Sequence, residues 1–425
     1  ALTASTITLN ISNSLNFEIG QSITIAGIIA DPLNPPTGVT VKSILVDLKD
    51  DVDVEATGTI TVDAGTNAFI GSESNITLAA FDAVDEVRIK SASGISGSAT
   101  TVVTGSDLIL EAGTGAIGSS TNVVKTNLSA TVAVPTPTVT ARATGDIYIT
   151  ETVGDLGVAT MFSQAGGVYL STLSGSIIDG LNHDFEKIRA NNITFNAVGG
   201  GIGEATDFLE INLIGGTAVL NATASGSTTA SGNIYLRETA GNLNVDTVSS
   251  SDGDVHLKAQ LAILDANNDG VANISGNNIN LLASLSTIGV AGNDLDINSG
   301  VKAKTLAAVA TTNNAGNTVF TATAHNYKVG DKVSVVGTGT ALDTTGTVIA
   351  VTTNTVEVDI PFVAATPPVT AMITGALTVS SGLNTHIIET TGDLTLNTIN
   401  TGAITAIQNA TLDAALATVT ADAGA

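Results

Sequence analysis

The residues best equipped for chemistry form a short acidic loop, Asp265-Ala266-Asn267-Asn268-Asp269-Gly270. Asp265, Asn267 and Asp269 place three oxygen-bearing side chains at alternate positions ahead of a turn-making glycine, a spacing that can wrap a hard cation such as calcium. The Val271 carbonyl would serve at the seventh position, but the twelfth, where a bidentate glutamate belongs, is Gly276. The segment Asp179-Gly180-Leu181-Asn182-His183-Asp184 keeps part of the same pattern. The competing reading is a tight Asn/Asp/Gly turn whose side chains cap nearby backbone groups. Calcium is the only cofactor the sequence brings forward, with Asp265, Asn267 and Asp269 as its candidate ligands.

Other reactive side chains are sparse. Glu151, Glu238 and Glu389 recur in similar surroundings, and paired carboxylates can do acid/base work when they face each other across a cleft. A glutamate that returns with each repeat more often serves the backbone, either facing solvent or satisfying a turn. His183, His256, His325 and His386 share no ligand spacing. Tyr148, Tyr169 and Tyr235 could stack on sugars or pack within strands. No nucleophile elbow, phosphate-binding loop or zinc-protease motif occurs, so no catalytic residue is assigned.

Composition narrows the classes further. The chain has 425 residues, with 14 Lys and Arg against 39 Asp and Glu, a net charge of 14 − 39 = −25. No basic face exists to neutralise phosphates, which argues against nucleic acid or an anionic membrane as partner. No apolar run is long enough to span a bilayer. Without Cys or Trp, and with 3% aromatic residues, a core must come from Val, Ile, Leu and Ala, which favours strands.

Internal repeats set the architecture. Ile117-Gly118, Ile202-Gly203 and Ile288-Gly289 are spaced 85 and 86 residues apart. Gly145-Asp146-Ile147-Tyr148-Ile149-Thr150-Glu151-Thr152 returns as Gly232-Asn233-Ile234-Tyr235-Leu236-Arg237-Glu238-Thr239, an offset of 87, and Asn127, Asn212 and Asn298 keep the same step. The next copy, at Glu389, lies 151 residues beyond Glu238, about 65 more than one period. The excess predicts an inserted module over about 310–374, where alternating runs such as Val356-Glu357-Val358-Asp359-Ile360 read as an antiparallel β unit. Asn16-Phe17-Glu18-Ile19-Gly20 matches Asn326-Tyr327-Lys328-Val329-Gly330, so 1–50 reads as part of a similar module, and the chain reads as a window on a longer tandem array. The expected organisation is a partial module over 1–50, a β-solenoid over 51–309, the insert over 310–374 and a solenoid continuation over 375–425.

Strand starts near Ile234, Val255 and Ile279 step by 21 and 24 residues, the length of one coil of a parallel β-solenoid. Alternating small aliphatic residues would fill its bore, with Thr and Ser outside. The predicted fold is all-β.

These markers, together with Ser176-Ile177-Ile178-Asp179 and Ala262-Ile263-Leu264-Asp265, resemble the large repetitive bacterial exoproteins of the filamentous-haemagglutinin type. The resemblance covers about 50–308 and 375–425. It implies a right-handed parallel β-helical rod, secretion, and a place in adhesion, surface coats or fibres, with the insert similar to small β-barrel modules of adhesins. The expectation is a non-enzymatic structural segment of an extracellular, cell-surface fibre, sheath or giant adhesin that self-associates end to end. A receptor- or glycan-binding adhesin with the insert as binding module is the alternative, and a polysaccharide-degrading β-helix enzyme the more remote one.

Overall fold

The computed structural model describes residues 22–23, 39–40, 51–98, 100–129, 136–227, 232–306, 311–363, 371–392 and 394–408. Among these no helix occurs, and most strands join one continuous parallel stack of about 14 turns. The alternation read in the sequence decides what each strand buries. In Ile234–Glu238, positions 234, 236 and 238 point inward while Tyr235 and Arg237 stay half-buried outside.

Each coil contributes three short strands, and each strand stacks parallel on its counterpart, with local bulges such as those at Val139–Thr140 and Leu220–Asn221. Ile234 pairs with Val255, Val255 with Ile279, Ile279 with Leu377 and Leu377 with Leu396. A second ladder runs Leu243, Ile263, Ile288, Thr385. A third runs Val248, Ile274, Ile297, Glu389. The inward residues of all three form one core extending from Ala68 to Ile399. At about 4.8 Å between coils, such a stack is a rod on the order of 70 Å long.

Coil length varies more than the steps of 21 and 24 suggest. Ala68 to Val87 spans 19 residues, whereas Leu108 to Val139 spans 31. As a result the repeat is not a whole number of coils. From Glu151 the ladder passes through Thr172 and Ala197 to Ala224 in three coils and reaches Ser250 in a fourth. Glu238 falls between Ala224 and Ser250, so one repeat covers about three and a half coils. Equivalent residues therefore land on different sheets: Ile117 and Ile147 continue through Val168 and Ile193 to Leu220, whereas Ile202 and Ile234 belong to the separate ladder of Val255 and Ile279.

The insert is a separate seven-stranded antiparallel sheet running from Lys304–Leu306 to Ala371–Thr374. It starts before the expected boundary at 310, because Lys304–Leu306 pairs antiparallel with Ala371–Thr374 and closes the module at its own base. It has an independent core around Phe320, Val335, Val348, Val356, Val358 and Ile373. The solenoid resumes across it without loss of register, since Ala283 stacks directly on Ser381. Lys328 anchors the module to the rod, its Nζ donating to the Ser227 carbonyl at 2.6 Å and to Asp252 Oδ2 at 2.7 Å. Asn278 Nδ2 donates to the Lys332 carbonyl at 2.8 Å. Of the module expected over 1–50, Ser22–Ile23 and Val39–Thr40 are described, and they pair antiparallel. The rest of it, and 409–425 of the expected solenoid continuation, lie outside the described residues.

Candidate functional site

The three periodic markers turn out to be one structural device. After Ile117, Ile202 and Ile288 the chain leaves the ladder and rejoins it at Val124, Leu209 and Leu295, opposite Ile149, Leu236 and Ile387. The exit needs a left-handed residue, and Gly118, Gly203 and Gly289 supply it at φ of 70°, 63° and 64°. At the far end of each re-joined strand a glutamate from the following coil caps the backbone. Glu151 accepts the Leu128 N–H at 3.2 Å and the Thr126 hydroxyl at 2.6 Å. Glu238 accepts the Leu213 N–H at 2.9 Å and those of Ala240 and Gly241 at 3.1 Å. Glu389 accepts the Ser299 N–H at 3.0 Å and its hydroxyl at 2.7 Å. The glutamates are buried, so of the two backbone roles expected from their recurrence, the turn-satisfying one holds. Burial pushes the carboxyls of Glu238 and Glu389 up to about 7, against the hydrogen bonds they receive.

The loop Asp265–Gly270 sits at a coil corner, and its oxygens are engaged. Asp265 Oδ1 accepts the N–H of Asn267 at 2.9 Å and Asn273 Nδ2 at 2.9 Å, and Oδ2 accepts the N–H of Asn268 at 2.9 Å. Asp269 Oδ1 accepts the Val271 N–H at 2.8 Å. Asn267 Nδ2 lies between Asp246 Oδ1 at 3.0 Å and Asp269 Oδ2 at 3.2 Å, presenting a positive dipole where a cation would stand. Asn268 and Gly270 take positive φ, as an Asx-type turn requires. Calcium bound there would have to take these oxygens from N–H groups. Among the described residues no group of three or more His, Cys, Asp or Glu is arranged to hold a metal.

One repeat earlier the same corner carries charge. Asp179, Lys187 and Glu210 stand 86 residues before Asp265, Asn273 and Asp296. The equivalence is geometric as well: the Lys187 N–H bonds the Glu210 carbonyl, and the Asn273 N–H bonds that of Asp296. Lys187 Nζ lies 2.9 Å from Asp179 Oδ2 and 3.8 Å from Glu210 Oε2, and all three side chains are buried. Nζ also donates to the carbonyls of His183 at 2.5 Å and Phe185 at 2.8 Å. Glu210 accepts no hydrogen bond at either oxygen, and burial pushes its carboxyl up to about 8. At the rim, Asp207 is raised to about 6 by burial and by Asp179, and Arg237 stands 3.4 Å from Asp184. Sequence reasoning passed over this cluster. Its signal was a lysine at the position where the next repeat has a buried asparagine.

No family model, no curated protein and no solved structure matches this chain. The resemblance to filamentous-haemagglutinin-type exoproteins therefore rests on the repeat residues themselves.

The remaining candidates have partners within the molecule. Tyr148 stacks on Tyr169 with centroids 4.2 Å apart, and Tyr235 stacks on His256 at 4.5 Å, so His256 takes the place that Tyr169 holds one repeat earlier. Lys258 Nζ lies 3.6 Å above the Phe208 ring. His386 is buried 3.6 Å from Asp294, and His325 meets the Thr352 carbonyl at 2.7 Å.

Proposed function

We propose that this chain is a non-enzymatic structural segment of a long bacterial surface fibre or giant adhesin, secreted and assembling end to end. The observation that carries the reading is the unbroken core: aliphatic ladders run parallel along about 14 turns, with local bulges, and continue across an insertion of a whole folded module. A stack of this kind transmits length, because the contact joining one coil to the next is the same backbone ladder throughout. Parallel strand edges accept another strand readily, so the contact that builds the rod can also join one copy to the next. The buried glutamates support the same reading, since their oxygens are spent on backbone N–H groups.

Immunogold labelling of intact, unpermeabilised producing cells tests the placement. Dense label along surface fibres is expected, and label confined to the interior after sectioning would refute it.

A second reading, an adhesin that binds a receptor or glycan through the insert, draws on the insert's independent core and its anchoring by Lys328. Loss of cell or glycan binding after excision of the module, with the rod intact, would favour it over scaffolding alone.

A further inference from the structure

We propose that Lys187 and Asp179 are joined by a covalent side-chain amide, Nζ to Cγ, with Glu210 carrying the protons. The inference starts from geometry. Lys187 Nζ is 2.9 Å from Asp179 Oδ2, so the carboxyl carbon lies no more than one C–O bond farther away, and a shift of a fraction of an ångström brings the amine to attacking distance. The carbonyls of His183 and Phe185 hold the amine in place. Asp179 is fixed in turn, its Oδ1 accepting the Leu181 N–H at 2.7 Å. Glu210 completes the group at 3.8 Å, with both oxygens buried and accepting no hydrogen bond.

The chemistry balances without any co-reactant. A proton passes from the Lys187 ammonium to the Asp179 carboxylate, leaving a neutral amine and a neutral acid. The amine lone pair attacks Cγ and the C–N bond forms. Glu210, whose carboxyl burial raises to about 8, gives its proton to the departing hydroxyl and takes one from the nitrogen. The C–O bond breaks, one water leaves, and Glu210 ends as it began. Burial supplies the driving force, because a neutral amide replaces two charges that are costly to hold away from water.

The next repeat shows what the product would look like. There Asn273 Nδ2 donates to Asp265 Oδ1 at 2.9 Å, so an amide nitrogen already closes the same corner without a covalent bond. That corner has no lysine and serves as an internal control.

Intact-mass spectrometry of the purified full chain, followed by tryptic mapping, tests the proposal. The expected result is a mass one water below that of the sequence, with trypsin failing to cut after Lys187 and the resulting peptide 143–189 one water light and giving no backbone fragments between Asp179 and Lys187. Glu210→Gln is expected to restore the full mass and the cut while leaving the β-rich circular dichroism spectrum in place. A wild-type chain at full mass overturns the proposal and leaves a buried ion pair. A water loss with normal cleavage after Lys187 also overturns it, because the Asp179-Gly180 pair can lose water as a cyclic imide. Retention of the link in Glu210→Gln overturns the role given to Glu210.

Discussion

At the scale of single residues, the buried glutamates hold the coils together. Removing the Glu238 side chain strands the buried N–H of Leu213 and takes the acceptor from those of Ala240 and Gly241 nearer the surface. Glu238→Ala is expected to lower unfolding stability by about 3 kcal/mol, while Glu238→Gln, which keeps an acceptor, loses about 1 kcal/mol. Denaturant melts of the two variants check the difference. The Asp265–Gly270 corner makes a different prediction. Its oxygens already satisfy backbone and amide N–H groups, so a chelator should leave the melting temperature unchanged. A rise on adding calcium would return the cation to Asp265, Asn267 and Asp269.

At the scale of elements, the Ile-Gly exit from the ladder is the least forgiving feature. Gly203 combines a φ of 63° with a site where a Cβ would collide with the Tyr235 carbonyl. Gly154 has a φ of 81° but open space around it. Gly203→Ala is therefore expected to cost several times the roughly 1 kcal/mol of Gly154→Ala, as thermal melts would show. The insert is separable by the same reasoning. Lys304 and Ile373 are paired neighbours, so a short turn in place of 304–374 should leave a rod that still melts cooperatively. Loss of the solenoid spectrum on excision would contradict this.

Much at this scale was legible in the sequence, for physical reasons that differ from element to element. Ile234, Leu236, Val255 and Ile279 alternate with outward residues, and alternation is direct evidence for a strand. The module stood out because it broke the 86-residue step. The burial of Glu151, Glu238 and Glu389 was hidden, because their partners lie a coil away and a charged residue at a strand end looks solvent-facing. The half-coil mismatch was hidden too, since coils of unequal length, such as the one from Leu108 to Val139, alter the stacking without disturbing the repeat. Lys187 and its carboxylates escaped notice because a loop and two coils bring them together.

At the scale of the molecule, burial of acid sets the response to pH. The carboxyls of Glu238 and Glu389 are raised to about 7 and that of Glu210 to about 8, with burial the main cause. A group raised in the folded state favours folding fully below its ordinary value near 4.5 and loses that contribution as pH climbs through 7 to 8. The net charge of −25 works in the same direction, since ionisation adds repulsion along the rod. Asp252 and His256 oppose the trend toward low pH, and they are outnumbered by the raised acids. Burial alone would raise Asp252, but Lys328 and the N–H groups of Gly226 and Gly232 hold it below its ordinary value. Burial lowers His256 to about 4, so its contribution fades as pH falls below 6.5. The melting temperature should accordingly be higher at pH 5 than at pH 8.5. A melting temperature that rises across that interval would show that the buried acids are ionised without penalty.

The claim on which the functional reading depends is that one parallel stack runs through the chain and continues from copy to copy. Cryo-electron microscopy of the purified protein at rising concentration measures this directly. The account predicts filaments whose power spectrum carries a layer line at about 4.8 Å along the filament axis, the spacing of coil on coil. Particles that stay one chain long at every concentration, or a strand spacing running across the filament instead of along it, would contradict it.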